Sequence, residues 1–156
     1  MTDTTDFANV IFRPPIAWAV AVLAGLALNW LIPLPFLPAA TPAGWLGAMV
    51  FALALALFAW AIVTISRAGS NVQTVRPTTT IVDTGPYGFT RNPIYLAMVL
   101  GLLAAAIGFN SLWPLLMLVP FVLVIRYGVI AREEAYLERK FGDGYRGYRA
   151  RVRRWL

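Results

Sequence analysis

Most of the residues that could bind a polar ligand lie in two short polar segments. The first covers residues 83–95 and contains GPYG followed by RNPIY, and the second carries Glu133 and Glu134 with Tyr145 and Tyr148 beyond them. An arginine can form a bidentate pair with a carboxylate, and a glutamate can accept hydrogen bonds from an ammonium group or from sugar hydroxyls. The two segments together could therefore bind a small molecule that carries both signs of charge.

The chemistry open to these segments is limited, because the chain contains neither cysteine nor histidine. Disulfides, a cysteine nucleophile and metal sites built from thiolates or imidazoles are excluded, as are Ser-His-Asp and Cys-His arrangements. We expect no metal. Any catalysis must use carboxylates, arginine, lysine, tyrosine, backbone dipoles and a bound cofactor.

The rest of the chain is hydrophobic enough to place these segments at a membrane. Of the 156 residues, 60% are hydrophobic and 13% are charged, and the mean hydropathy is +0.70. The apolar residues form runs of about 20, the length that crosses a bilayer. We predict one all-α integral membrane domain over residues 1–156, with transmembrane helices at residues 16–32, 43–65, 93–109 and 112–130. The short Asn110-Ser111 connection makes the last two a helical hairpin.

The basic residues predict the orientation of these four spans. The loops after spans one and three contain no Lys or Arg, whereas the 13 basic residues lie in the N-terminal tail, in the 66–93 loop or from Arg126 onward. The positive-inside rule places both termini and the long loop in the cytoplasm, and we expect the membrane to be a bacterial inner membrane. The polar segments 76–95 and 131–152 would then lie on the same face. Residues 1–15 are interpreted as a retained tail.

The C-terminal part predicts a cytoplasmic amphipathic helix. Residues 132–141 have helical character, and residues 149–154 are strongly basic. We expect this tail to contact anionic lipid headgroups, and membrane topology explains the net charge of +6 without nucleic acid. Arg126 is a separate case, because an arginine inside an apolar span is costly unless it faces a partner or water. It could pair with Glu133 or orient an acidic acceptor.

The order and spacing of these elements resemble a known enzyme family. The elements that carry the resemblance are GPY at 85–87, RNPIY at 91–95, the helical hairpin, EE at 133–134, FG at 141–142, and Tyr145, Tyr148 and Val152. Over roughly half of its length the chain is similar to the isoprenylcysteine carboxyl methyltransferases and their relatives, the phospholipid N-methyltransferases. Two positions depart from the family pattern, since Asn92 stands where histidine is common and Ala97 where glycine is frequent.

The resemblance implies an intramembrane methyltransferase that binds S-adenosylmethionine at the cytoplasmic surface and accepts a lipid-like substrate from the bilayer. We expect ten residues to hold the cofactor, namely Gly85, Pro86, Tyr87, Arg91, Asn92, Pro93, Tyr95, Glu134, Tyr145 and Tyr148. For catalysis and for the acceptor we expect Arg126, Arg132 and Glu133. An isoprenylcysteine-type carboxylate is the leading acceptor, and a phospholipid amine is the alternative.

Structural roles stay open for the same residues. Arg91 could extend to lipid headgroups, the two glutamates could pair with Arg126, Arg132 or Lys140, and the tyrosines could form an interfacial belt. Either glutamate could contact the cofactor. A non-catalytic membrane scaffold or a small transporter component would use the same spans, and nothing in the sequence indicates the oligomeric state.

Overall fold

The computed structural model describes residues 10–70 and 78–156, and every regular element in these ranges is helical. The helices are α1 (Pro14–Leu31), α2 (Ala43–Arg67), a 3-10 turn (Gly85–Gly88), α3 (Pro93–Gly108), α4 (Leu112–Ile125), a π turn (Arg126–Ile130), α5 (Ala131–Phe141) and α6 (Asp143–Arg151). The predicted all-α class is confirmed for this part of the chain. Most of the predicted N-terminal tail and the Arg76 end of the first polar segment lie outside the described residues.

Among the described residues, three helices are long and apolar enough to cross a membrane. They are Pro14–Leu31, Ala43–Arg67 and Leu112–Phe141, the last of which joins α4, the π turn and α5. The helix α3 has 16 residues, so it is about 24 Å long and shorter than a bilayer core of about 30 Å. Three of the four predicted spans thus have the length required, and the third is a shorter apolar helix.

The helix that carries the fourth span continues past its predicted end. The apolar run stops near Ile130, but the backbone stays helical to Phe141 through the π turn. A π turn shifts carbonyls away from their usual intrahelical partners. Here the Gly128 carbonyl accepts a hydrogen bond of 3.1 Å from the backbone N–H of Ile11, so the N-terminal segment is attached to the turn.

The helix α3 lies at the centre of the bundle, with α2 on one side and α4 on another, while α1 packs mainly along α4. The backbones of α2 and α3 approach most closely where Gly47 faces Gly108. A side-chain carbon on Gly47 would overlap the Cα of Gly108 and lie 2.9 Å from the Ala104 carbonyl oxygen. Small residues at such crossings allow apolar helices to pack without a hydrophobic driving force from water.

The connection between α1 and α2 and the turn between α3 and α4 meet at one end of the bundle. The Asn110 side chain accepts hydrogen bonds from the backbone N–H groups of Phe36 and Leu37, at 3.0 and 2.8 Å, and donates one to the Leu37 carbonyl at 3.1 Å. Leu112 N–H donates to the Leu34 carbonyl at 2.9 Å. We call this region, residues 32–42 and 108–113, the Asn110 end. The predicted antiparallel hairpin is confirmed.

Candidate functional site

The opposite end of the bundle brings the two predicted polar segments together. We call the region formed by residues 85–95 and 131–156 the Arg91 end. It begins with the 3-10 turn, where Gly85 has a φ of +57°, a conformation that residues with a side chain rarely adopt. The turn buries Tyr87, and the Tyr148 hydroxyl donates a hydrogen bond of 2.8 Å to the Tyr87 carbonyl. The predicted turn at GPYG is confirmed.

The C-terminal residues cross the start of α3 and are attached to it by hydrogen bonds. We call residues 152–156 the C-terminal strap. The backbone N–H of Arg91 donates to the Arg153 carbonyl at 2.9 Å, and the Asn92 amide donates to the Arg154 carbonyl at 2.9 Å. The Thr90 hydroxyl donates to the same carbonyl at 3.2 Å. Three consecutive residues of the first polar segment therefore bind the strap.

A cluster of three charged side chains lies beneath this crossing. The Glu134 carboxylate receives two hydrogen bonds from the Arg154 guanidinium, at 2.6 and 3.0 Å, and lies 3.3 Å from Nη2 of Arg91. The side chains of Arg91 and Glu134 are 9% and 12% exposed, whereas that of Arg154 is 32% exposed. Two positive charges surround one negative charge, so the cluster retains one positive charge in a site largely shielded from water.

A second pair lies one residue earlier on α5. The buried Tyr95 hydroxyl donates a hydrogen bond of 2.8 Å to the Glu133 carboxylate. Burial raises the pKa of the Tyr87 phenol, and the nearby Glu133 carboxylate raises it further. Burial also raises the pKa of Tyr148, and it raises the pKa of Tyr145 to about 12. The phenols of Tyr87, Tyr145 and Tyr148 are therefore protonated at neutral pH and available as hydrogen-bond donors.

Two buried donors at this end have no partner. Within residues 10–70 and 78–156, the buried side-chain atoms without a hydrogen bond are the Tyr87 hydroxyl and Nε of Arg91. Nη1 of Arg91 is only 3.5 Å from the Tyr145 hydroxyl, at the limit of a hydrogen bond. Buried polar groups in folded proteins are almost always paired, and exceptions mark strain, an unseen water or ion, or a functional site. Each of these two atoms is a hydrogen-bond donor that lacks an acceptor.

The structure brings together most of the predicted site residues. The ten residues expected at the cofactor lie in the turn, at the start of α3 and on α5 and α6, and Glu133 joins them through Tyr95. Arg126 and Arg132 are exposed, and the guanidinium of Arg126 lies 5.4 Å from the ring centre of Tyr127. These two arginines are at the surface. Glu134 pairs with Arg91 and Arg154 and Glu133 with Tyr95, and these contacts were absent from the pairings considered from the sequence.

Arg154 is the residue of the site that sequence reasoning missed. The sequence placed it among the arginines expected at lipid headgroups, and in the structure it pairs with Glu134. Arg149 contacts Glu138 and Arg151 contacts Asp83, each at 3.2 Å, and both of these pairs are exposed. Contact of the basic tail with lipid headgroups stays a prediction. Residue type could not separate them, because four arginines lie within six residues.

An apolar groove runs between α1 and α2 along α3. It has a volume of about 390 Å³, its floor contains Gly101 and Ala104, and its walls include Trp18 and Phe51. The Trp18 indole N–H donates to the Met98 carbonyl at 2.8 Å and so attaches α1 to α3 beside the groove. The groove lies between α1 and α2, and both of these helices contact α3.

Comparison with known proteins shows the family of the chain. A family model described as phospholipid methyltransferase matches residues 42–144, well over half of the chain. The chain belongs to this family. The match covers the turn, α3 and both glutamates, and it ends before Tyr145 and the C-terminal strap. Membership points to a membrane-embedded methyltransferase and confirms the resemblance seen in the sequence.

A shorter relative is also found among curated proteins. It is a protein of Haemophilus influenzae, described as an uncharacterized protein, that is 49% identical over 63 residues. The aligned part is 40% of this chain and the whole of that protein. No solved structure matches the chain.

Proposed function

We propose that the protein transfers a methyl group from S-adenosylmethionine to the amine headgroup of a phospholipid at the membrane surface. The observation that carries the proposal is the largely shielded cluster of Arg91, Glu134 and Arg154, which retains one positive charge and in which Nε of Arg91 has no partner among the described residues. A ligand with a carboxylate would supply the missing acceptor. Family membership supports the reaction class.

The residues present fit the chemical groups of this cofactor. Arg91 can bind the amino-acid carboxylate through Nε, which has no partner among the described residues. A carboxylate has about four lone-pair positions, and the arginines use three on Glu134, so one is left for the ammonium or a ribose hydroxyl. Backbone groups near Gly85 and Tyr87 can reach the adenine edge. The bound cofactor would supply a methyl group activated by the sulfonium.

The acceptor we propose is the amine, in place of the prenylcysteine carboxylate that the sequence favoured. Two features support this choice. Both arginines of the cluster already contact Glu134, whereas Glu133 presents a carboxylate that would repel an anionic acceptor and attract an ammonium. In addition, the family to which the chain belongs is described as phospholipid methyltransferase.

Glu133, oriented by Tyr95, would hold the lipid ammonium and accept its proton. The deprotonated amine would then accept the methyl group that S-adenosylmethionine supplies, with S-adenosylhomocysteine as the leaving product. Most of the acceleration would come from alignment of the reactants in a poorly hydrated site. The exposed Arg126 and Arg132 would contact lipid phosphates, and the groove beside α3 would accommodate acyl chains.

The positive-inside rule supports a cytoplasmic position for the Arg91 end, because Arg13, Arg67, Arg91 and the basic residues between 126 and 154 lie on that side of the bundle. Both termini would then face the cytoplasm of a bacterial inner membrane. The amine of an inner-leaflet phospholipid and the soluble cofactor would reach the site from the same side.

Calorimetric titration of S-adenosylmethionine and S-adenosylhomocysteine into the protein in nanodiscs tests the cofactor. Saturable binding is expected, and its absence in a folded sample would favour a scaffold or a transporter component. Transfer of radiolabelled methyl groups to vesicles of phosphatidylethanolamine, compared with N-acetyl-farnesylcysteine, tests the acceptor. Label in the phospholipid alone supports the amine, and label in the prenylcysteine alone contradicts it.

A further inference from the structure

The two arginines of the buried cluster contact Glu134 unequally. Arg154 binds the carboxylate through two hydrogen bonds, with Nη2 at 2.6 Å from one oxygen and Nε at 3.0 Å from the other. Arg91 has a single contact, at 3.3 Å, to the oxygen already shared with Nε of Arg154. Bidentate geometry is the strongest form of this interaction. Glu134 is therefore held mainly by Arg154.

This asymmetry leaves Arg91 with unused binding capacity. Its Nε is buried without a partner among the described residues, and its Nη1 is 3.5 Å from the Tyr145 hydroxyl. Without Arg154, the Glu134 carboxylate would be free to bind Arg91 through both oxygens, and the two charges would neutralise each other. A neutral pair has little attraction left for a carboxylate ligand.

We propose that Arg154 is a positioning residue that keeps the Arg91 guanidinium available for the carboxylate of the cofactor. The inference rests on the proposed function and adds a residue that lies beyond the region matched by the family. Arg154 touches Glu134 and not the ligand. Its effect reaches the ligand through the charge and the geometry of Arg91.

The C-terminal strap is built to hold Arg154 in this place. Two hydrogen bonds hold the backbone on either side of the Arg154 Cα. The Arg91 N–H donates to the Arg153 carbonyl, and the Asn92 amide donates to the Arg154 carbonyl. Val152 is buried against Tyr145 and Tyr148, and Trp155 packs against the main apolar core. The strap thus anchors Arg154 by contacts that are independent of its charge.

The test compares two ligands in the variant Arg154→Gln. S-adenosylhomocysteine carries the carboxylate, and 5′-deoxy-5′-methylthioadenosine has the same nucleoside without the amino-acid part. We expect the affinity for S-adenosylhomocysteine to fall about ten- to a hundredfold, which corresponds to the loss of one hydrogen bond between charged groups. The affinity for methylthioadenosine should stay within about twofold. The matched control is Arg151→Gln, which removes an exposed arginine three positions away and should leave both affinities unchanged.

Equal losses for both ligands would mean general damage to the site and would overturn the inference, as would unchanged binding of both. If Arg154→Gln does not fold, Arg154→Lys decides, because it keeps the charge and loses the bidentate geometry. A several-fold loss confined to S-adenosylhomocysteine supports the inference, and no loss or equal loss overturns it. Wild-type protein that binds neither ligand overturns the proposed function and the inference with it.

Discussion

The two ends of the bundle are stabilised in opposite ways. At the Asn110 end, one amide side chain makes three hydrogen bonds to the backbone of the facing loop, and the Trp113 indole donates to the Ile32 carbonyl at 2.7 Å. At the Arg91 end, three charged side chains share one cluster, and the buried donors without a partner among the described residues are Nε of Arg91 and the Tyr87 hydroxyl. One end satisfies its polar groups with its own backbone, and the other leaves donors unpaired.

We interpret this difference as that between a structural end and the proposed binding end. Polar groups that complete their hydrogen bonds within the protein hold two loops together and need nothing further. An excess positive charge and unpaired buried donors are costly in the ligand-free protein, and they become favourable only when an anionic acceptor arrives. We therefore expect variants at the Arg91 end to change the methyl-transfer rate or ligand affinity, and variants at the Asn110 end to change stability alone.

The largest effect is expected for Glu133→Gln, which removes the proposed proton acceptor at the Arg91 end. The methyl-transfer rate should fall about 10²- to 10⁴-fold, as for other general bases. The affinity for S-adenosylhomocysteine should stay within about threefold, because the carboxylate cluster is intact. Tyr95→Phe, which removes only the hydroxyl that orients Glu133, should give a smaller loss of rate. An unchanged rate in both variants would exclude Glu133 from the reaction.

Glu134→Gln and Glu138→Gln form a matched pair one helical turn apart, since each glutamate contacts two arginines. Glu134 is buried, so its loss leaves two guanidinium groups without an anion and should cost about 3 kcal/mol. The Glu138 side chain is 36% exposed, and its pairs are worth about 0 to 1 kcal/mol. Thermal unfolding in the same detergent should show a fall in Tm of several degrees for the first variant only. Equal shifts would remove the distinction between buried and exposed pairs.

Asn110→Ala tests how much the Asn110 end contributes to stability. The change removes three hydrogen bonds and places alanine at a φ of +45°, so the expected loss of stability is about 2 kcal/mol. Asn110→Gly loses the same hydrogen bonds without the strained backbone and should be about 1 kcal/mol less destabilising. Neither variant should change the affinity for S-adenosylhomocysteine. A change in that affinity would show that the two ends are coupled.

The smallest effect is expected from pH. The pKa of Tyr145 is raised from 10.0 to about 12 by burial, so the folded protein keeps this proton more tightly than the unfolded chain. The contribution of Tyr145 to stability is therefore full below pH 10 and is lost as the pH rises from 10 to 12. We expect the Tm of the wild type and of Tyr145→Phe to differ by a constant amount up to pH 10. Above pH 10 the wild type should lose stability faster, and a parallel decline would contradict the burial of this phenol.

Several elements were predictable because local chemistry specifies them. Pro93 begins α3 as expected, since proline suits the first turn of a helix, and Asn110-Ser111 forms the tight turn of the hairpin. The helix α2 begins at Ala43, where the prolines of the preceding loop end. The fourth predicted span ends at residue 130, whereas the helix that carries it continues to Phe141, because a change from apolar to charged residues marks the edge of a membrane and not the end of a helix.

By itself the sequence determined the helical membrane scaffold, the absence of histidine and cysteine chemistry, and the set of residues in the two polar segments. Apolar run length and proline positions act over a few residues, so they can be identified without a fold. Only the tertiary structure decided that Glu134 binds Arg154, 20 positions away, and that Arg149 and Arg151 pair with other carboxylates. That choice depends on where the strap crosses α3, because charge attraction alone is the same for every arginine.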